Sequence, residues 1–367
     1  MLGARQVGKS TLASEVAAAA KRSTYFDLES SVDLARLSDP MFALGGLRGL
    51  VVIDEIQRQP ELFPTLRVLA DRALANTHFL VLGSASPAML RQSSESLAGR
   101  IAYLELGGFA IEEVGVENLE KLWMRGGFPR SFLAKTDGLS LRWRQQFVDT
   151  YLERDLPSLG FQIPAALLGR FWRMLANCHG QLWNGSDLGR SLGVSDAVVK
   201  RYLDVLCSTF LVRILQPFFE NIGKRQVKSA KVYLSDTGLL HALLGISNRD
   251  ALEVYPRLGA SYEGFAIGEI IRHHAARRDE CFFWRTHDGA ELDLLLIQGQ
   301  RRLGFEIKRT DSPTVTPSMR HALSDLHLDS LTVIHAGRES YTLGDRIRAA
   351  PLGDYLAKRK SQRTPFS

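Results

Sequence analysis

Along the first hundred residues, apolar positions follow two alternating patterns. Short, nearly continuous apolar runs at 24–28, 50–54, 78–83 and 101–106 predict strands. Between them, 9–20 and 62–73 space their apolar residues three and four apart, as in helices packed on one face. Strand–helix alternation predicts a parallel sheet covered on both faces, a core over residues 1–110. From 111 to 176 the spacing turns helical. Residues 177–256 read as a compact helical module followed by a basic hairpin. After Pro256, a helix over 259–274 leads into strands near 280–285, 291–297, 303–308 and 330–335, which makes a second α/β region over 257–367.

The first sheet carries chemistry. Gly3-Ala4-Arg5-Gln6-Val7-Gly8-Lys9-Ser10, followed by Thr11, matches G-x-x-x-x-G-K-[ST] at every fixed position. The glycines let the loop curl so that backbone N–H groups face phosphate oxygens. Lys9 reaches the terminal phosphates, and the Ser10 hydroxyl ligates magnesium. The helix that follows sets its positive end beneath the phosphates. Downstream, Val51-Val52-Ile53 precede Asp54-Glu55, a buried strand delivering two carboxylates at its C-terminal edge, where ligands sit in open α/β sheets. Asp54 is expected to hold magnesium and Glu55 to polarise the attacking water. Ser84, at the end of the next strand, is placed to sense the γ-phosphate or to make a Ser-Pro turn. Arg100 either stabilises transition-state charge as an arginine finger or pairs with a carboxylate.

One feature departs from this pattern. A P-loop is fed by a strand, and only Met1-Leu2 precede Gly3, too few for the usual five or six residues. The expectation is that the natural start lies upstream, or that the chain is a truncated form. A form starting at Met1 should then bind ATP poorly and aggregate through an unpaired sheet edge.

Residues 186–203 read as helix-turn-helix, with Ser186 or Asp187 capping the first helix, Gly193 at the turn and Ser195 capping the second. Leu188, Leu192, Val198, Val199 and Leu203 would form the buried faces. Strands at 212–216 and 231–234 complete a winged helix. Lys200 and Arg201 on the second helix, with Lys224, Arg225, Lys228 and Lys231 on the wing, could neutralise DNA phosphates. The other reading is a packing or oligomerisation module, whose partner would be another copy of the chain.

In the last region the two-residue period turns Glu291 and Asp293 one way, and likewise Glu306 and Lys308, with Phe305 and Ile307 facing a core. Asp293 and Glu306 could bind magnesium, and the Lys308 ammonium could stabilise an attacking hydroxide near a phosphodiester. Glu263, on the preceding helix, is a further candidate ligand. The alternative is the same fold used only for binding.

Charge sharpens the picture. The net charge is +6, and the excess lies mainly in 161–258, where Lys and Arg outnumber Asp and Glu by 12 to 7. That is where a polyanion would be expected, unless the surface is merely solvated. Cys178, Cys207 and Cys281 are scattered without a CxxC pair, as expected of reduced thiols in a cytoplasm. No apolar run approaches the roughly 18 residues of a membrane span.

The segments GARQVGKST, VVIDEIQRQPELFPTLRVL, LVLGSASPAML and SESLAGRIAYLEL, with Gly126-Gly127-Phe128-Pro129 beyond them, resemble a prokaryotic family of AAA-type ATPases with a C-terminal domain of unknown function. The resemblance implies an ASCE-type P-loop NTPase fold, ATP and magnesium as cofactors, and a nuclease-like C-terminal domain. Asp293, Glu306 and Lys308 then resemble the D…(D/E)-x-K site of restriction-endonuclease-like folds. Two functions follow as expectations. One is a magnesium-dependent ATPase coupled to a nuclease-like domain on DNA. The other is an ATP-switched DNA- or protein-binding regulator with an inert C-terminal domain.

Overall fold

The computed structural model of the chain describes residues 1–72, 76–83, 97–220 and 226–357. The chain divides into two compact units, one of residues 1–108, 153–163 and 204–211, the other of 109–152, 164–203 and 212–367.

The first unit is built on three parallel strands, β1 (Ser23–Asp27), β2 (Gly49–Asp54) and β3 (Thr77–Val81), in the order β1-β2-β3. Successive side chains of a strand point to opposite faces. In β2, Val51 and Ile53 therefore join Phe26, Leu62, Phe63 and Leu66 on one face. Val52 joins Ala13, Ala17 and Leu82 on the other, beneath the helix Lys9–Ala19. Beyond β3, Leu2 forms parallel bridges to both Gly83 and Glu105. Its N–H donates to the Leu104 carbonyl at 2.8 Å, and its carbonyl accepts from the Leu106 N–H at 2.7 Å. The residue feeding the P-loop is thus paired on both sides, with β3 between it and β2. Residues 101–106, expected as a strand, contribute pairing only around Glu105, because Leu2 is the neighbour they pair with.

The second unit carries a nine-stranded sheet. It contains β4 (Gln181–Leu182), β5 (Val212–Pro217), β6 (Lys231–Leu234), β7 (Cys281–Arg285), β8 (Glu291–Gln298), β9 (Arg301–Lys308), β10 (Ser330–His335), β11 (Tyr341–Gly344) and β12 (Ile347–Pro351), ordered β11-β12-β10-β9-β8-β7-β5-β6-β4. The helices Ala165–Asn177, Gly185–Leu192 and Asp196–Ser208 precede β5, and β6 pairs antiparallel with both β4 and β5. Gly193 ends the second of these helices in the left-handed region. Its N-cap is Asn184 rather than Ser186 or Asp187: the Asn184 side chain accepts from the Asp187 N–H, so Asp187 lies in the first turn. Leu188, Leu192, Val199 and Leu203 are buried, while Val198 is half-buried.

After the helix Leu258–His273 come β7, β8 and β9, with β8 antiparallel to both of its neighbours, then the helix Pro317–Asp325 and β10, which runs parallel to β9. The β8–β9 register pairs Leu294 with Phe305, which sets Asp293 beside Glu306. Phe305 faces a core with Tyr262, Phe265 and Ile270 of the long helix. Sequence reading did not anticipate β11 and β12; β12 buries Ala349 and Ala350 beside β10, in a run with too little apolar bulk to stand out.

The Gly126-Gly127-Phe128-Pro129 segment turns around one carboxylate. Asp236 accepts from the Gly127 N–H at 2.7 Å and the Leu239 N–H at 2.8 Å. Gly126, at φ +76°, brings its backbone so close that a Cβ would lie 2.1 Å from an Asp236 oxygen. Both amides are on buried residues. Asp236→Ala should therefore destabilise the protein, at on the order of 1–3 kcal/mol for each N–H left unpaired. Urea denaturation measures this, and an unchanged midpoint would show that the turn holds without the carboxylate.

Candidate nucleotide site and acidic cavity

The P-loop leaves the Leu2 bridge directly into a bend. A Cβ on Gly3 would stand 2.3 Å from the Leu106 carbonyl oxygen, so the sheet tolerates only glycine there. Gln6 and Gly8 have φ of 62° and 103°, which curls the loop before the helix starts at Lys9. Ala4 and Val7 are buried, whereas Ser10 and Thr11 are exposed at the start of the helix. Lys9 is 5% exposed and donates to the carbonyls of Gly3 at 3.0 Å and Ala4 at 2.9 Å. Burial pushes its pKa down, and the charges of Glu55 and Asp54 partly oppose that. Arg5 donates to Asp155 at 2.6 Å, a contact sequence reading missed because 150 residues separate the partners.

Asp54 closes β2 and is buried; one of its oxygens accepts from the Glu55 N–H at 2.9 Å. The other accepts from the Tyr25 hydroxyl at 2.7 Å. In register, Asp27 faces Asp54, and Tyr25, two residues earlier, lies on the same face. The Tyr25–Asp54 contact is one that sequence reading missed, although the alternation of β1 carried the signal. Burial, with the Asp54 carboxylate beside it, pushes the Tyr25 hydroxyl upward in pKa. Glu55 takes a left-handed φ of 56°, a conformation that turns the chain sharply after the strand. Its pKa is raised by burial, against the opposing charges of Arg5 and Lys9, and Gln57 bonds its carboxylate. The structure thus brings Lys9, Asp54 and Glu55 together. Ser84 lies outside the described residues. Arg100 takes the pairing alternative, bonding Asp71 and the Ala98 carbonyl at an exposed position.

In the second unit, an open cavity of about 730 Å³ is lined by Glu263, Glu291, Asp293, Glu306, Lys308 and Lys231, among others. Asp293 is held by the Ile307 N–H, 2.9 Å from Oδ2. Lys308 pairs with Glu306 Oε1 at 2.6 Å. Glu306 Oε2 is buried and has no hydrogen-bond partner among the described residues. Burial and the Asp293 charge raise the pKa of both Glu306 and Glu263.

Lys231 departs from its expected place on an exposed wing. It is 4% exposed, because β6 lies between β4 and β5 with all four residues buried. Its Nζ stands 2.6 Å from Glu291, 3.3 Å from Glu263 and 3.6 Å from Asp293. Glu263 also accepts from the Tyr233 hydroxyl at 2.5 Å. The expected ligand set of Asp293, Glu306 and Glu263 is therefore not assembled as a shell. Among the described residues no three His, Cys, Asp or Glu side chains form a group able to hold a metal ion. The Lys231 ammonium lies among Glu263, Glu291 and Asp293, and Lys308 pairs with Glu306.

Lys200, Arg201 and Lys228 are exposed; Lys224 and Arg225 lie outside the described residues. Cys178, Cys207 and Cys281 form no disulfide among the described residues. No helix among the described residues is long and apolar enough to cross a membrane.

Residues 1–115 match the AAA domain family. Residues 116–250 and 258–355 match two families described as domains of unknown function, DUF8612 and DUF4143. The chain is 49% identical over 356 residues to the uncharacterized proteins Rv2008c of Mycobacterium tuberculosis and Mb2031c of Mycobacterium bovis, covering 97% of this chain and 80% of each of theirs. Among solved structures it is similar to the Walker-type ATPase of Pyrococcus abyssi, at 16% identity and a TM-score of 0.43, over 66% of this chain and 89% of that one. Its first 115 residues are an ATP-binding domain of the P-loop class, and the chain belongs to the family of these two mycobacterial proteins, with an AAA domain followed by two domains of unknown function.

Proposed function

We propose that the first unit hydrolyses ATP with magnesium and that this turnover governs the acidic cavity of the second unit, a magnesium-dependent phosphodiester site acting on DNA. The observation that carries the ATPase reading is the buried Lys9 ammonium, coupled to Asp54 and Glu55 at the end of a neighbouring strand. The residues fit their ligands: a loop curled at Gln6 and Gly8, an exposed Ser10 hydroxyl, and a carboxylate pinned by Tyr25. On this reading Lys9 leaves its own loop carbonyls for the β- and γ-phosphates. Ser10 and Asp54 hold the magnesium, which supplies charge neutralisation. Glu55, whose pKa burial raises, orients and deprotonates water.

The nuclease reading is supported by one cavity that gathers Glu263, Asp293, Glu306 and Lys308 on a helix–three strands–helix–strand arrangement. Asp293 and the unpartnered Glu306 Oε2 are hard oxygen donors suited to magnesium. Lys308 would hold the attacking hydroxide. Lys200, Arg201 and Lys228 offer phosphate contacts. The second reading is an ATP-switched regulator of DNA or a protein with an inert second site. It is favoured by Lys231, whose ammonium already neutralises the carboxylates.

Three measurements follow. Lys9→Ala should abolish phosphate release and weaken ATP binding at least about tenfold, since the charge at the terminal phosphates is lost. Unchanged affinity in calorimetry would remove the phosphate role. Glu55→Gln should keep ATP binding and slow turnover by roughly 10²–10⁴, the usual contribution of a positioned base. Wild-type turnover in that variant would move the base elsewhere. Asp293→Ala should eliminate magnesium-dependent plasmid cleavage and leave ATP hydrolysis intact. Intact ATP hydrolysis with no cleavage by the wild type would leave the regulator reading standing.

A further inference from the structure

Three charges that line the cavity, those of Arg257, Arg285 and Lys231, come from neither the helix Leu258–His273 nor the strands β8 and β9, and of these the buried one is Lys231. Its backbone is fixed between Leu182 of β4 and Leu215 of β5. The chain just before it is tied to the rim of the cavity: Val227 donates to the Arg285 carbonyl at 3.0 Å, and Gln226 bridges Thr286. An ammonium this deeply buried is tolerated only with anions around it, and three surround it within 3.6 Å. One of them, Asp293, is also the carboxylate beside Glu306, whose Oε2 is buried and unpartnered. A divalent cation at Asp293 and Glu306 would therefore stand close to a fixed positive charge. In a cavity of low polarisability, repulsion at such a distance is large.

The geometry points to Lys231 as an internal competitor of the divalent cation. Its ammonium holds Glu263, Glu291 and Asp293 together, and it lowers the affinity of the cavity for metal until an incoming phosphate draws that ammonium away. The inference rests on the reading of the cavity as a metal-dependent phosphodiester site. It adds that metal and a phosphodiester bind with mutual reinforcement, since each relieves a charge that the other leaves exposed. Lys231 is then a positioning residue in the resting site and a phosphate contact in the loaded one.

The test is a manganese titration of the full chain, without nucleotide or DNA, followed by calorimetry. Only sites lost in Asp293→Asn are counted, which sets aside manganese taken up by the P-loop. Wild type should bind weakly. Lys231→Met, similar in length and uncharged, should bind at least about tenfold tighter, and Lys231→Arg should stay near wild type. A folded Lys231→Met with equal or weaker affinity overturns the inference and leaves the metal site standing. A gain shared by Lys231→Arg also overturns it, because shape rather than charge would then be responsible. Absence of any Asp293-dependent site, in wild type and in Lys231→Met alike, fails the underlying reading instead. Should Lys231→Met melt early, because its carboxylates have lost their counter-charge, manganese must restore its melting temperature. A melting temperature that manganese leaves unmoved overturns the inference.

Discussion

Charge burial is the constraint on which the rest of this structure depends. Taking an ammonium or a carboxylate out of water costs several kcal/mol unless an opposite charge or a set of hydrogen bonds goes with it. Each of the two units nevertheless buries a lysine. In the first, Lys9 is stabilised by two loop carbonyls and by the nearby charges of Asp54 and Glu55. In the second, Lys231 is stabilised by three carboxylates. On the proposed reading, this difference makes the first site ready for an anion and the second slow to take a cation. Carbonyl oxygens are neutral and give up an ammonium to phosphate easily. Three carboxylates hold one far more tightly.

Sheet geometry explains how these charges can be delivered at all. A strand with a buried body can still end in a polar residue, because the next peptide leaves the ladder. Asp54 closes β2 in this way, and Glu55 leaves through a left-handed turn. The opposite solution serves in the second unit. There Asp293 and Glu306 lie inside their strands rather than at their ends, and an apolar neighbour on either side of each faces a core. Interior strand positions fix a carboxylate more firmly than a loop does, which suits a site whose charges must stay paired with Lys231 and Lys308.

Contiguity decides how much of this was legible in the sequence. The P-loop, the Val51–Glu55 run and the alternation around Glu306 are each written within a few consecutive residues, and each occurs where local pattern placed it. Boundaries of the strands after Pro256 agree with the pattern to within a residue or two for the same reason. What was not legible depends on register between distant segments. Nothing local to Lys231 distinguishes it from Lys228, three residues earlier on the same hairpin. Only the pairing of β6 with β4 and β5 turns one inward while the other stays exposed. Tyr25 and Asp155 are further cases, each acting on the nucleotide site through a partner 29 and 150 residues away. The cap at Asn184 is a smaller one: three consecutive polar residues could each cap, and the backbone, not composition, chooses among them.

Asp155 bears on how the nucleotide site works as well as on how it was read. The P-loop is held at three points: Gly3 against the Leu106 carbonyl, Lys9 against its own carbonyls, and Arg5 against Asp155. Only the first is steric and permanent. The second would break, on the proposed reading, when Lys9 turns to phosphate. The third need not, and its geometry argues that it does not: Asp155 is 1% exposed, and losing Arg5 would leave a buried carboxylate whose remaining ion-pair partner among the described residues is the exposed Arg154 at 3.5 Å. That penalty exceeds what an exposed pair would cost. On the proposed reading, Arg5 would then be the fixed post of the loop, about which Lys9 could swing while the backbone keeps its place. Such a division of labour lets one lysine change partners without the loop having to refold.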